Sequence, residues 1–167
     1  MSGHRILVAG IGNVFFGDDG FGVEVVRRLH ERLQPEGVRV IDFGIRGLDL
    51  AYALLDGYDA AILVDATPRG GSPGTLYVIE PDAPPEHDSS GSVDTHGMTP
   101  DKVLRLAHAL GGPVPLLRVV GCEPLLVSEE DDMAIGLSVP VAAAVDPAIR
   151  LIESLVAELA GAVAARA

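Results

Sequence analysis

The sequence predicts an α/β protein, a mixed and mostly parallel sheet of five strands with helices on both faces. Three observations carry this. Short apolar runs ending in Gly or Asp alternate with stretches of helical spacing, as strands alternate with helices in such folds. The first run, Arg5 to Gly10, is apolar throughout, as a strand buried on both faces is. One link, TPRGGSPG, is too short for a helical crossover, so one strand is expected to run against its neighbour.

The elements follow in order. After the first strand comes a glycine-rich loop, GIGNVFFGDDG, and then a helix with Val25, Val26, Leu29 and Leu33 on one face and Glu24, Arg27, Arg28 and Glu31 on the other. Val38 to Phe43 is the second strand, and Leu48 to Leu55 a short helix. Ala60 to Val64 is the third strand, ending at Asp65. Thr75 to Ile79 is the fourth, expected to pair antiparallel with the third. The stretch PDAPPEHDSSGSVDTHG reads as a long loop. Thr99-Pro100 then opens a helix, with Thr as the cap and Pro in the first turn. Val103, Leu106, Ala107 and Leu110 face the core, and Gly111-Gly112 ends it. Leu116 to Val120 is the fifth strand, followed by an acidic loop, SEEDD. The last helix carries Ile152, Leu155, Val156 and Leu159, and Pro147 is expected to mark its start or a kink. No repeat or composition shift divides the chain, so residues 1–167 are read as one domain.

Composition excludes some functions. Hydrophobic residues make up 48%, enough for a sizeable core. The formal net charge is −12 and no Lys/Arg cluster stands out, which argues against nucleic acid and anionic membranes as partners. The single cysteine, Cys122, can form no internal disulfide, as in a reducing compartment. No signal-peptide core and no uncharged span long enough for a bilayer is present. The expectation is a soluble, cytoplasmic protein, and a monomer.

The loop after the first strand is the first place to look for a site, because ligands of open α/β sheets bind where strands end and helices begin. Gly10 and Gly12 make half of a dinucleotide fingerprint, with Asp42 at the next strand end as the ribose acid. The fingerprint fails at Phe15. Asp18 and Asp19 also occupy the helix start, where a pyrophosphate would meet two negative charges. Those carboxylates would welcome a cation, or one of them serves only as an N-cap. Asp19, Asp65 at the end of strand three, and His96 just before the Thr99 helix can share one edge of the sheet. Two carboxylates and an imidazole suit zinc, nickel or iron(II). Spacing alone points there only weakly. Asp65 can equally cap a turn, and a lone loop histidine is most often solvated. Asp42 reads as a turn or recognition residue, and Arg46 as a surface cation or a carboxylate clamp. Cys122 reads as a small buried residue at a strand end rather than a nucleophile.

GIGNVFFGDDGFG, the AILVDA strand end, THGMTP and VVGCEP, in this order over nearly the whole chain, resemble the maturation endopeptidases of nickel–iron hydrogenases. The resemblance is weakest from Asp82 to Val93 and at the last residues. It implies a mixed, mostly parallel five-stranded sheet between helices, a three-layer α/β/α fold of the phosphorylase/hydrolase-like kind. It implies removal of a C-terminal extension from the hydrogenase large-subunit precursor after nickel insertion. It also implies nickel recognition by an acid in the first loop, an Asp after the third strand and a His before the later helix, here Asp19, Asp65 and His96. The nickel is carried by the substrate, so the isolated enzyme need hold none. Asp19 and Asp65 are then the candidate catalytic residues, acting with nickel or as a paired-carboxyl dyad.

Two departures stand out. Some members have Glu where this chain has Asp19. Many show D-G-G-T after strand two, where this chain runs Asp42-Phe43-Gly44-Ile45-Arg46-Gly47. Asp42, Gly44 and Arg46 are therefore the candidate substrate-binding residues, in a loop fitted to a particular large subunit. Three rivals stay open: a hydrolase with its own metal at the same residues, a nucleotide-binding module on the Gly10/Gly12 loop, and an adaptor without catalysis.

Overall fold

The computed structural model describes residues 3–81, 98–125 and 135–166. Five strands, β1 (Ile6–Ile11), β2 (Val38–Gly44), β3 (Ala60–Ala66), β4 (Leu76–Ile79) and β5 (Leu116–Cys122), form one sheet in the order β2-β1-β3-β5-β4. The first, second, third and fifth are parallel, and β4 runs antiparallel to β5. Four helices cover the sheet: α1 (Phe21–His30), α2 (Gly47–Leu54), α3 (Pro100–Ala109) and α4 (Val139–Arg166).

The three layers follow from the two-residue period of the strands. Ile6 and Val8 of β1 face Phe21, Val25, Val26 and Leu29 of α1, with Val145, Ile149 and Ile152 of α4 in the same core. Leu7, Ala9 and Ile11 face the other way, toward Leu50 and Leu54 of α2 and Val103, Leu104 and Ala107 of α3. The central strands β1 and β3 are buried on both faces, which is why they read as unbroken apolar runs.

The chain leaves β1 for β2 on one side and returns to β3 on the other. That reversal puts the topological switch point between the carboxyl ends of β1 and β3, where a crevice opens in folds of this kind. Close packing of α1 depends on glycine here. A Cβ at Gly22 would run into the carbonyl oxygens of Val64 and Ile11, and one at Gly10 would meet the Gly22 carbonyl and Val26.

Five expectations need correction, the simplest being Leu110, which does not face the core but is exposed just past the end of α3 at Ala109. The fourth strand does not pair with the third. The link after β3 passes over the end of β5, with Thr67 N–H donating to the Cys122 carbonyl and Gly74 N–H to that of Glu123, both at 2.8 Å, so β4 lands on the far side of β5. Gly121 leaves room for Thr67 in that crossing. Leu33 is not on the face of α1. The helix ends at His30, and Leu33 is fully exposed, because the Gln34 side chain donates to the carbonyls of Leu29 and Arg32 and turns the chain before Pro35. Pro147 does not start the last helix. Burial of Val141, Ala144 and Val145 holds α4 helical from Val139, and Pro147 sits inside it. Finally, neither Asp18 nor Asp19 caps α1, whose N-cap is Gly20. Thr99 does cap α3, its hydroxyl accepting from Lys102 N–H at 3.3 Å with Pro100 in the first turn.

Candidate active site

The glycine-rich loop after β1 ends in a single 3-10 turn, Gly17–Gly20, before α1. Hydrogen bonds fix its shape. Asn13 N–H donates to Asp19 Oδ2 at 2.8 Å, and Asn13 Oδ1 accepts from Phe15 N–H at 3.0 Å. Phe16 N–H donates to the Asn13 carbonyl and Asp19 N–H to the Phe16 carbonyl, each at 3.1 Å. Gly12, at φ 141°, closes the ring, because a side chain there would strike the Asp19 carbonyl oxygen. The two glycines that suggested a nucleotide loop are thus occupied by the packing of α1 and by this turn.

Asp65, the penultimate residue of β3, stands across the switch point from that loop and is buried. Burial pushes its carboxyl well above the usual aspartate range, the charge of Asp19 pushes it further, and only the Ala66 N–H pulls the other way. Its Oδ1 has no hydrogen-bond partner among the described residues. A buried carboxylate oxygen left unpaired is costly and rare, and such atoms concentrate where a ligand completes the site. A cation or a proton satisfies this one.

Asp18 does different work. It is buried, and it accepts from Leu125 N–H at 2.8 Å, Ser138 N–H at 2.7 Å and Ser138 Oγ at 2.8 Å. It ties the first loop to the chain after β5 and to the start of α4. Of the two adjacent acids, Asp18 is spent on structure and Asp19 is the one whose charge acts on Asp65.

His96 lies outside the described residues. Two positions on, Met98 packs its side chain against Gly47 at the start of α2. Among the described residues no group of three His, Cys, Asp or Glu side chains is placed to hold a metal. The loop after β2 joins the first loop directly, Gly12 N–H donating to the Gly44 carbonyl at 3.0 Å. Asp42 behaves as a turn residue, its Oδ1 accepting from Gly44 N–H at 2.8 Å, and Gly44 takes φ 53°. Arg46 donates to the Asp42 carbonyl, pairs with Asp49 at 3.6 Å and stacks over Phe43. It stays half exposed and is not clamped on a carboxylate inside the site.

Two site-supporting residues were missed by sequence reasoning. Asn13 holds Asp19 by its backbone, and nothing in the loop's composition singles it out. Glu123 is buried, its two carboxylate oxygens accepting from Arg69 N–H at 2.7 Å, Gly70 N–H at 2.9 Å and Tyr77 Oη at 3.0 Å. Burial alone would raise its carboxyl, but these donors hold it below the usual range. Its signal was visible: an acid directly at a strand end, in the same motif as Cys122. Cys122 itself is buried, and burial, then the charges of Asp18 and Glu123, push its thiol up to about 11, which excludes a reactive thiolate.

A mixed, mostly parallel sheet covered on both faces, with an acidic pair at its switch point, defines an α/β protein of the open-sheet class, in which ligands bind at that edge. The comparisons say which family. The pattern of the hydrogenase maturation protease family HycI matches residues 23–155. The hydrogenase expression/formation protein HoxM of Azotobacter vinelandii is 35% identical over 167 residues, spanning 99% of this chain and 79% of that one. A putative hydrogenase maturation protease of Methanocaldococcus jannaschii is 38% identical over 148 residues, 88% of this chain and 93% of that one. The solved structure of the hydrogenase maturating endopeptidase HybD from E. coli superposes with a TM-score of 0.71 at 27% identity, covering 92% of this chain and 93% of its own. The chain belongs to the hydrogenase maturation protease family. No helix among the described residues is long and apolar enough to cross a membrane.

Proposed function

We propose that this peptidase removes the C-terminal extension of a nickel–iron hydrogenase large-subunit precursor after nickel insertion, and that it recognises the substrate-borne nickel through Asp19, Asp65 and His96. The observation that carries this reading is the unpaired Oδ1 of Asp65, buried beside the charge of Asp19 at the switch point. A divalent cation arriving on the precursor would supply the missing partner and offset the repulsion between the two carboxylates. Oxygen and imidazole donors suit nickel, whose remaining positions are held by the precursor's own thiolates.

The same pair can serve the hydrolysis. Burial favours the protonated form of the Asp65 carboxyl, and in that form it can donate a hydrogen bond to the scissile carbonyl while its neighbour takes a proton from the attacking water. Nickel would add polarisation of that carbonyl. The loop carrying Asp42, Gly44 and Arg46 adjoins the first loop through Gly12 and Gly44, which supports a role for it in contacting the precursor beside the cut.

The test is a cleavage assay on a nickel-loaded large-subunit precursor, reading the mass of its C-terminus. Wild type is expected to release the extension only when nickel is present, and Asp19→Ala and His96→Ala to release none. Cleavage that proceeds equally without nickel, or that survives both substitutions, would overturn the reading.

A further inference from the structure

The whole chain holds four Phe, three Tyr and no Trp, and yet three of these few aromatic side chains stand in solvent. Phe15 and Phe16 are 53% and 58% exposed and Tyr52 56%. Around them Val14, Ile45 and Leu48 are 45%, 63% and 51% exposed. Single exposed apolar residues are ordinary, but a set gathered on neighbouring elements marks a binding face.

These six are gathered by the fold. Val14, Phe15 and Phe16 sit on the loop after β1, and Ile45, Leu48 and Tyr52 on the connection after β2 and on α2. The two loops are joined by the Gly12–Gly44 hydrogen bond. Leu48 and Tyr52 are one helical turn apart on α2, on the side away from buried Leu50 and Leu54, and Ile45 stands just before them in the connection that leads into the helix. Arg46 and Asp49, the charges among them in sequence, pair with each other. In a chain of net charge −12 this leaves Asp49 of α2 paired, with the carboxylates of Asp19 and Asp42 at the border of the apolar face.

The loop is also built to hold the phenyl rings out. The hydrogen bonds of Asn13 to Phe15 and Phe16, and of Phe16 to Asp19, are the ones that set Asp19 in place. The ordering cost of presenting two aromatic anchors is thus met by the loop that presents the acid.

We infer that this face docks a folded apolar surface of the precursor, next to the point where its extension leaves, so that docking and delivery to Asp19 are one event. The inference rests on the proposed cleavage of that precursor. It commits to the folded surface rather than the extension because the side chains project from a tight turn and the outer side of a helix. An extended peptide is gripped by sheet edges and grooves instead.

The experiment compares wild type with two double variants, Phe15→Ser/Phe16→Ser and Leu48→Ser/Tyr52→Ser. It measures kcat and KM on the nickel-loaded precursor, and Kd for the same precursor immobilised on a surface. Melting curves verify folding, and either variant alone suffices if the other unfolds. Expected are rises of about tenfold in KM and Kd with kcat within about twofold. A synthetic peptide spanning the extension and the cut is expected to inhibit variants and wild type alike, or none of them. Unchanged KM and Kd in a folded variant would overturn the inference, as would peptide inhibition weakened only in the variants, which would assign the face to the extension. Wild type that binds the precursor but leaves it uncut would count against the proposed cleavage alone, because Kd still reads the docking face.

Discussion

Asp19 lies near enough to Asp65 for its charge to raise the proton affinity of that buried carboxyl, and one oxygen of Asp65 has no hydrogen-bond partner among the described residues. The pair is arranged against the interest of the fold, as sites that await a ligand are. A raised carboxyl holds in the folded state a proton that the unfolded chain gives up. Its contribution is therefore favourable below the ordinary value of 3.8 and is lost as pH rises through the higher folded value. Asp65→Asn removes that loss. The variant should be more stable than wild type at neutral pH by about 1–3 kcal/mol, the cost of a buried polar group left unpaired. The gap should close below pH 3.8, while cleavage is abolished. Thermal melts across pH test this, and a variant that melts below wild type at pH 7 would show that Asp65 is held by partners after all.

Glu123 has the opposite sign. Burial opposes its charge, but the Arg69 and Gly70 N–H groups and the Tyr77 hydroxyl more than offset that and hold its carboxyl low. The stability it contributes is present above the ordinary value of 4.5 and is lost as pH falls through the lower folded value. Glu123→Gln should thus melt roughly 5–10 °C below wild type at pH 7, with the difference shrinking in acid. Because Glu123 pins the link that follows Asp65, the variant should also lose cleavage more than binding. Equal melting temperatures at pH 7 would show that the link holds itself.

Gly22 sets how closely α1 approaches the sheet. Its missing Cβ is what lets the helix lie on the carbonyls of Ile11 and Val64. Those are backbone atoms and cannot swing aside, so Gly22→Ala should cost about 3 kcal/mol or more. Gly111→Ala is the control. It also changes a glycine, one at φ 98°, but with open space around it, so only backbone strain of about 1–2 kcal/mol is expected. A chemical denaturation series that ranks Gly111→Ala as the costlier change would refute the close-approach argument.

The apolar runs made β1, β2, β3 and β5 legible, and Thr99-Pro100 made the start of α3 legible, because in each case the deciding interactions are local or follow from burial on two faces. Errors arose where a distant residue decides. The partner of β4 is set by Glu123 and the end of β5, far along the chain from the link they hold. The start of α4 is set by burial of Val141 and Val145 against the sheet, which overrides the local signal of Pro147. Asp19 and Asp65 could be picked out as acids at strand ends. That the buried Asp65 leaves Oδ1 without a partner among the described residues, and that Asp18 accepts from Leu125 and Ser138, are facts of tertiary structure that no spacing records.

That division of labour between adjacent acids gives the last prediction. Asp18 accepts three hydrogen bonds, two of them from Ser138, and these join the first loop to the start of α4. Asp18→Ala leaves two backbone N–H groups without their acceptor, so it should cost about 1–3 kcal/mol of stability. Ser138→Ala keeps its N–H bond to Asp18 and loses only the hydroxyl, so it should cost about 1 kcal/mol. Among the described residues the Asp19 carboxylate accepts one bond, from Asn13 N–H, and Asp19→Ala should cost less than Asp18→Ala while losing all cleavage. Nickel should separate the two acids further. If Asp18 is structural, Asp18→Ala at a temperature where it is folded still cleaves the nickel-loaded precursor, whereas Asp19→Ala does not at any temperature. The reverse order, with Asp18→Ala stable and inactive, would exchange the roles of the two carboxylates and move the nickel-facing position one residue back along the turn.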